Sequence, residues 1–166
     1  MRVPIRKAGK YTFIKPDPYI TQEKFDELVK NLERLKKVVQ PKLIGEVKRL
    51  GEMGDFSENT AYQMAKGKLR GINQKIIQTE KQLGIAKIIK TDKNALVVQI
   101  GSRVIVEINK QTQKFQILGS LETSPGTGTI SHQSPLGKAL LNKKLGDVVQ
   151  VKTEDRKIEY KIINIE

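Results

Sequence analysis

Two long stretches in which mostly apolar residues recur at steps of three and four constrain this chain most. The first seam consists of Phe25, Leu28, Leu32, Leu35, Val39, Leu43, Val47 and Leu50. The second seam consists of Tyr62, Ala65, Leu69, Ile72, Ile76, Thr79, Leu83 and Ala86. Such spacing places one narrow apolar stripe along a helix, as in a coiled coil. With a short glycine-containing connector between them, the two seams predict an antiparallel helical hairpin.

The hairpin is expected to form a rod. A helix of about 30 residues spans roughly 45 Å at 1.5 Å per residue. Two helices of a globular bundle are the alternative, but a single narrow stripe on each helix favours the rod. Pro41 lies within the first seam. We expect a bend there, because a proline inside a helix costs about 3 kcal/mol.

The pattern changes near Thr91, where β-branched runs bounded by glycine or asparagine begin. Strands are predicted at 95–101, 103–109, 114–119, 147–153 and 157–165. A short helix is predicted over 134–147, capped by Ser134, with Pro135 in its first turn and Gly146 at its end. The expected fold class is α+β, an antiparallel coiled-coil hairpin followed by an antiparallel β domain with one short helix. The predicted parts are a basic N-terminal arm over 1–19, the hairpin over 20–90 and the β domain over 91–166.

The formal net charge of +13 favours a polyanionic partner such as DNA or RNA, or an acidic protein surface. One stretch departs from this balance: residues 51–65, GEMGDFSENTAYQMA, contain three acidic residues and no basic one. The chain has no cysteine, which excludes disulfides and thiolate metal sites. No apolar run approaches the roughly 18 residues of a membrane span. We therefore expect a cytoplasmic protein that does not bind a membrane.

Asp55 and Glu58 are three residues apart at the predicted start of the second helix. A structural interpretation is a form of capping box, which the helix dipole would also favour. A functional interpretation is that two carboxylates on one helical face hold a Mg²⁺ ion that keeps several of its waters. Two carboxylates supply only part of such a site, so a partner would have to complete it. The residues alone leave both interpretations open.

Two motifs carry a resemblance to a known family. GDFSENTAYQMAK (54–66) resembles the coil-tip signature of the bacterial Gre transcript-cleavage factors, which is Gly-Asp-Leu-Ser/Lys-Glu-Asn-Ala-Glu-Tyr. ISHQSPLGKALLNKKLGDVVQV (130–151) resembles the C-terminal FKBP-like domain of the same family. The resemblance covers about residues 20–166. Ala61 departs from it, since the family usually has glutamate there.

The resemblance implies a transcription elongation factor that enters the secondary channel of bacterial RNA polymerase as a monomer. It would stimulate the polymerase's own cleavage of the nascent RNA 3′ end in backtracked or arrested complexes, without being an enzyme itself. Asp55 and Glu58 correspond to the catalytic tip acids, which would hold Mg²⁺ jointly with the polymerase. The other implied site residues are the tip neighbours Ser57, Asn59 and Tyr62, an RNA-binding basic patch of Arg49, Lys66, Lys68 and Arg70, and a polymerase-docking segment of Ser134, Pro135, Leu136 and Gly137.

Two other functions remain open. A Gre-like inhibitor would occupy the same channel and block the polymerase, although the retained Asp-x-x-Glu pair favours cleavage. A coiled-coil nucleic-acid-binding protein unrelated to polymerase fits the charge but leaves the acidic tip without a purpose. His132, the only histidine, is interpreted as a surface residue of a loop.

Overall fold

The computed structural model describes residues 16–53, 59–90, 95–152 and 157–166. Its helices are α1 (Gln22–Arg34), α2 (Gln40–Gly51), α3 (Thr60–Ile85) and α4 (Pro135–Leu140). Its strands are β1 (Tyr19–Ile20), β2 (Lys87–Ile88), β3 (Arg103–Ile108), β4 (Gln111–Leu118), β5 (Thr129–Ser131), β6 (Val148–Lys152) and β7 (Lys157–Ile165). The predicted α+β class, with a helical hairpin before a β domain, is confirmed.

The hairpin forms through the two seams. All first-seam residues are half-buried, and second-seam residues are either buried or half-buried. Contacts across the hairpin show that its two arms run in opposite directions. Lys36 forms an ion pair with Glu80, and the Gln40 side-chain amide donates to Asn73 Oδ1 at 2.9 Å. The predicted antiparallel arrangement is confirmed.

A π-helical turn over Leu35–Val39 joins α1 to α2. The steps from Leu35 to Val47 are three successive fours, so the first seam contains one residue more than strict alternation allows. A π-helical turn accommodates an extra residue, because its N–H groups reach back five residues instead of four. The Gln40 N–H donates to the Leu35 carbonyl in this way. Pro41 follows in the first turn of α2, where a missing N–H is tolerated.

The C-terminal domain is a sheet of five strands in the order β5-β4-β3-β7-β6. The neighbouring strands are antiparallel except β4 and β5, which are parallel, so the expected antiparallel sheet is a mostly antiparallel one. Asn109 and Lys110 join β3 to β4 with φ values of 50° and 66°. Two successive positive φ angles are typical of a type I′ hairpin turn. The core consists of Val98, Val104, Val106, Ile117, Leu140, Val149 and Ile162.

The strand predicted over 95–101 is wrong. This segment forms an isolated bridge between Val97 and Lys144, and its other long-range backbone hydrogen bonds go to the loop after α4 and, from Gly101, to Ile117 of β4. The Val98 N–H donates to the Lys143 carbonyl at 2.8 Å, and the Val98 side chain lies fully buried in the core. Gly101, with a φ of 105°, turns the chain into β3. Val98 therefore enters the core from a crossing segment rather than from a strand.

The predicted ends of two other elements are also wrong. The helix predicted over 134–147 ends at Leu140, and Asn142 follows with a φ of 62°. The Asn142 N–H donates to the Val98 carbonyl, which diverts the chain from the helical path. Gly146 instead occupies the turn before β6, with a φ of 88°. Strand β4 begins at Gln111 rather than 114, because the two-residue turn brings the strands together at once.

Residues 16–21 connect the hairpin to the C-terminal domain. β1 pairs in parallel with β2, which joins the base of α1 to the end of α3. Ile20, only 2% exposed, packs in this junction. Residues 1–15 lie outside the described residues, so the basic N-terminal arm stays a prediction.

The Asp17 carboxylate is the main polar contact of the junction. Its side chain is 3% exposed and accepts hydrogen bonds from the Ser120 N–H and hydroxyl, each at 2.8 Å. His132 Nδ1 lies 3.3 Å from the same carboxylate, and the histidine ring packs edge-on against Tyr19. Thr21 donates through its N–H to Glu122 at 2.8 Å. The interpretation of His132 as a surface residue is wrong, because these contacts leave its side chain 14% exposed.

Gly119→Ala should weaken this junction. A Cβ at Gly119 would stand 1.7 Å from the Tyr19 carbonyl oxygen, so the backbones would have to separate. We expect a loss of about 1–3 kcal/mol in the free energy of unfolding, measured by urea denaturation of the full chain.

Gly126→Ala is the matched control. A Cβ there would meet no atom within 4 Å, so we expect a change within about 0.5 kcal/mol. Equal unfolding midpoints for the two variants would show that the close approach of Tyr19 to Gly119 does not contribute to stability.

Candidate functional site

The acidic stretch stands at the end of the hairpin opposite the junction. α2 ends at Gly51 and α3 begins at Thr60, whereas β1 and β2 lie at the other end of the same helices. The predicted acids Asp55 and Glu58 and the tip neighbour Ser57 lie outside the described residues, between these two helix ends.

Asn59 is the residue that caps α3. Its Oδ1 accepts a hydrogen bond from the Tyr62 N–H at 3.0 Å. Asp55 and Glu58, the proposed capping box, lie outside the described residues, and the N-cap position of α3 is taken by Asn59.

Asn59 also contacts the other helix. Its Nδ2 donates to the Leu50 carbonyl oxygen at 3.0 Å, across the hairpin. Sequence reasoning placed Asn59 among the tip neighbours but did not predict this bond. The available signal was an amide side chain three residues before the second seam, since an amide carries a donor and an acceptor on separate atoms and can bond two backbone groups at once.

Tyr62 packs at the start of the second seam, where it is half-buried. Lys66 Nζ lies 5.7 Å from the centroid of its ring, within the range of a cation–π interaction. Tyr62 thus holds a basic side chain one helical turn beyond the tip.

The predicted basic patch separates into different surfaces. All four side chains are exposed, and within the described parts of the chain none forms an ion pair. Lys66 and Arg70 are four residues apart and share one flank of α3. Lys68 is turned about 200° from Lys66 and lies on the opposite flank of the seam. Arg49 is on α2, where it contacts the Met53 sulfur at 3.6 Å.

The predicted docking segment, residues 134–137, forms the N-cap and the first turn of α4. Ser134 Oγ accepts from the Gly137 N–H at 3.0 Å and donates to the Ser131 carbonyl at 2.7 Å. Leu136 packs against the core, and a Cβ at Gly137 would stand 2.1 Å from the Ser131 carbonyl oxygen. Three of the four residues therefore have roles inside the fold. Pro135 is exposed.

Lys138, which sequence reasoning did not select, is also exposed beside Pro135. These two residues form the outward surface of the helix start.

Neither a metal cluster nor a membrane span is found in the described ranges. No three histidine, aspartate or glutamate side chains there lie close enough together to hold a metal ion. None of the helices described is long and apolar enough to cross a membrane.

Both halves of the chain match family models. The model described as "Transcription elongation factor, N-terminal" matches residues 18–88, and "Transcription elongation factor, GreA/GreB, C-term" matches residues 93–166. These ranges cover the hairpin and the β domain.

Individual relatives agree with the models. The chain is 38% identical over 151 residues to "Transcription elongation factor GreA" of Metamycoplasma arthritidis, covering 89% of this chain and 94% of the relative. It is 40% identical over 149 residues to the protein of the same name from Staphylococcus saprophyticus, covering 88% and 94%. Among solved structures, the GreA factor homolog 1 (Gfh1) protein of Thermus thermophilus is 26% identical, with coverage of 89% and 97% and a TM-score of 0.41. On the family models and these sequence identities, the chain belongs to the GreA/GreB family of transcription elongation factors.

Proposed function

We propose that this protein is a transcription elongation factor that enters the secondary channel of bacterial RNA polymerase in the cytoplasm, as a monomer. There it stimulates the polymerase's own cleavage of the nascent RNA 3′ end in backtracked complexes. The observation that carries the proposal is the position of the acidic stretch, between Gly51 and Thr60 at the end of the hairpin remote from the C-terminal domain. Family membership over both domains supports it.

The tip acids act through a partner's site in this proposal. The carboxylates of Asp55 and Glu58 are of the ligand type that Mg²⁺ prefers, but two of them leave most of its coordination sites open. The described residues add no cluster that could complete the site, so the other ligands come from the polymerase and from water. Mg²⁺ held there would supply charge stabilisation and an activated water for phosphodiester cleavage. The protein is then not an enzyme by itself.

The charges of the hairpin suit an extruded RNA strand. Lys66 and Arg70 on one flank of α3 attract the phosphates of the RNA 3′ segment. The carboxylates of Asp55 and Glu58 repel phosphate. They therefore approach the RNA only when a cation lies between carboxylate and phosphate. This division of charge along the rod separates RNA binding from metal binding.

The C-terminal domain would provide docking affinity. Pro135 and Lys138 lie exposed at the start of α4, on a helix that Ser134 and Gly137 fix to the fold. A surface held this firmly loses little freedom when a partner binds it.

Asp55→Asn should abolish stimulated cleavage while polymerase binding survives. Asparagine lacks the negative charge that binds Mg²⁺, and because Asn59 caps α3, hairpin stability should change by less than about 0.5 kcal/mol. The measurement is cleavage of RNA in backtracked complexes over a Mg²⁺ titration, in which a lost ligand raises the Mg²⁺ concentration required.

Asp26→Asn is the control, since it removes an exposed carboxylate on α1 far from the tip. If Asp55→Asn stimulates cleavage like the parent, the acids are not metal ligands and the mechanism is wrong. If the parent protein is instead an inhibitor, it should slow RNA synthesis and stimulate no cleavage of RNA in backtracked complexes.

Removing basic side chains should weaken RNA contact on one flank only. Lys66→Ala and Arg70→Ala should each raise the factor concentration needed for half-maximal cleavage by about threefold, with weaker salt dependence. Lys68→Ala, on the opposite flank, serves as the control and should resemble the parent. Equal effects of all three changes would show that the hairpin attracts RNA only through its overall charge.

Pro135→Ala should reduce affinity for polymerase without unfolding the domain. Pro135 is exposed, and alanine is accepted in the first turn of a helix, so thermal unfolding should be nearly unchanged. Binding to core polymerase, measured by fluorescence anisotropy of labelled factor, should weaken by several-fold. Unchanged affinity in the folded variant would reject the docking role.

A further inference from the structure

We propose that Asn59 is a positioning residue for the acidic tip. Its side-chain amide connects the end of α2 to the start of α3 by two hydrogen bonds, which we call the tie. This inference rests on the proposed function, since it concerns how Asp55 and Glu58 are presented to the polymerase. It adds a role for a residue that touches neither metal nor RNA in the mechanism above.

The amide makes one hydrogen bond to each helix. Oδ1 accepts from the Tyr62 N–H at 3.0 Å, and Nδ2 donates to the Leu50 carbonyl oxygen at 3.0 Å. Leu50 is the last residue of the first seam, and Tyr62 is the first residue of the second. Asn59 is half-buried between them, so water competes less for these bonds than at a fully exposed cap.

Asparagine is the residue type that this position requires. The last carbonyl groups and first N–H groups of a helix lack partners within the helix. An amide satisfies one of each, because it carries an acceptor and a donor in one planar group. The partners also fix its orientation, since a flipped amide would set NH₂ against the Tyr62 N–H and oxygen against the Leu50 carbonyl. Aspartate caps a helix equally well but has nothing to donate to Leu50.

The tie closes the connector that carries the acids. Leu50 and Asn59 bracket the residues between the helices, and Glu58 is the immediate neighbour of Asn59. Fixing both ends of a short segment reduces the freedom that its carboxylates lose when they enter the polymerase active site. The rate of cleavage depends on that placement, because small misplacements of reacting groups cost large factors in rate. Affinity does not depend on it, since the coil and the docking surface are unchanged.

Asn59→Asp tests the tie. The variant keeps the capping acceptor for Tyr62 but places a carboxylate oxygen against the Leu50 carbonyl. We expect the maximal cleavage rate at saturating factor to fall on the order of tenfold. The factor concentration for half-maximal cleavage should stay within about twofold, and helix content by circular dichroism should be unchanged. A merely structural role would instead lower helix content or affinity.

Two further variants separate the tie from charge and from capping. Thr60→Asp adds the same charge at the next, exposed position without touching the tie, and should cleave like the parent. Asn59→Ser keeps a capping oxygen, adds no charge and lacks the amide, and should lose activity as Asn59→Asp does. Equal losses in Thr60→Asp and Asn59→Asp would overturn the inference, because charge would then explain both.

Asp55→Asn in the same assay distinguishes this inference from the proposed function. If Asp55→Asn is inactive and both Asn59 variants cleave like the parent, only the tie is disproved. If Asp55→Asn cleaves like the parent, the proposed function fails and the inference fails with it.

Discussion

The narrow apolar seam on each helix governs the N-terminal half of the molecule. Neither α1 nor α2 contains a fully buried residue, so these helices are stable only against α3. Isolated helices of this length are marginal in water, because forming the first turn costs more than it gains. Any departure from the seam spacing therefore has to be absorbed locally, as the π-helical turn before Pro41 does. The polar pair of Gln40 and Asn73 beside this turn favours one register over others.

The junction attaches the hairpin to the C-terminal domain. Asp17 lies just before β1 and Thr21 caps α1, and both bond to residues 120–122 of the β domain. Gly119 permits the backbone of Tyr19 to approach closely. A buried carboxylate with several donors is costly to leave unpaired, which favours the joined arrangement. These polar contacts thus join the start of the hairpin to the β domain.

The tip combines two requirements that oppose each other. In the proposed mechanism, a site that receives a metal ion in the polymerase active centre needs carboxylates near the end of the rod, where apolar packing ends. Helix ends there have unpaired backbone groups, and acids alone cannot satisfy a carbonyl. An asparagine between the acids and the second seam satisfies one group on each helix. Because Asn59 occupies the N-cap position of α3, Asp55→Asn leaves that cap in place.

The sequence alone determined the hairpin, its seams, the strands β3, β6 and β7, and the cap of α4 by Ser134. These features follow from periodicity and from neighbouring residues, so local patterns are sufficient to predict them. The tip and docking motifs also indicate the family by themselves, because each is a continuous run of residues. Asp55 and Glu58 as metal ligands stay a prediction of the tip motif.

Only the tertiary structure decided the features that depend on distant partners. Asp17 meets Ser120, 103 residues along the chain, and no periodic pattern indicates that contact. His132 is removed from solvent by the same junction. The run 95–101 has the composition of a strand, but its backbone hydrogen bonds go mainly to the loop after α4 and, from Gly101, to Ile117 of β4. Asn59 was visible as a tip residue, whereas its bond to Leu50 exists only once the two seams pair. The physical reason is common to all four: each depends on chain segments that come together only after the local elements have formed.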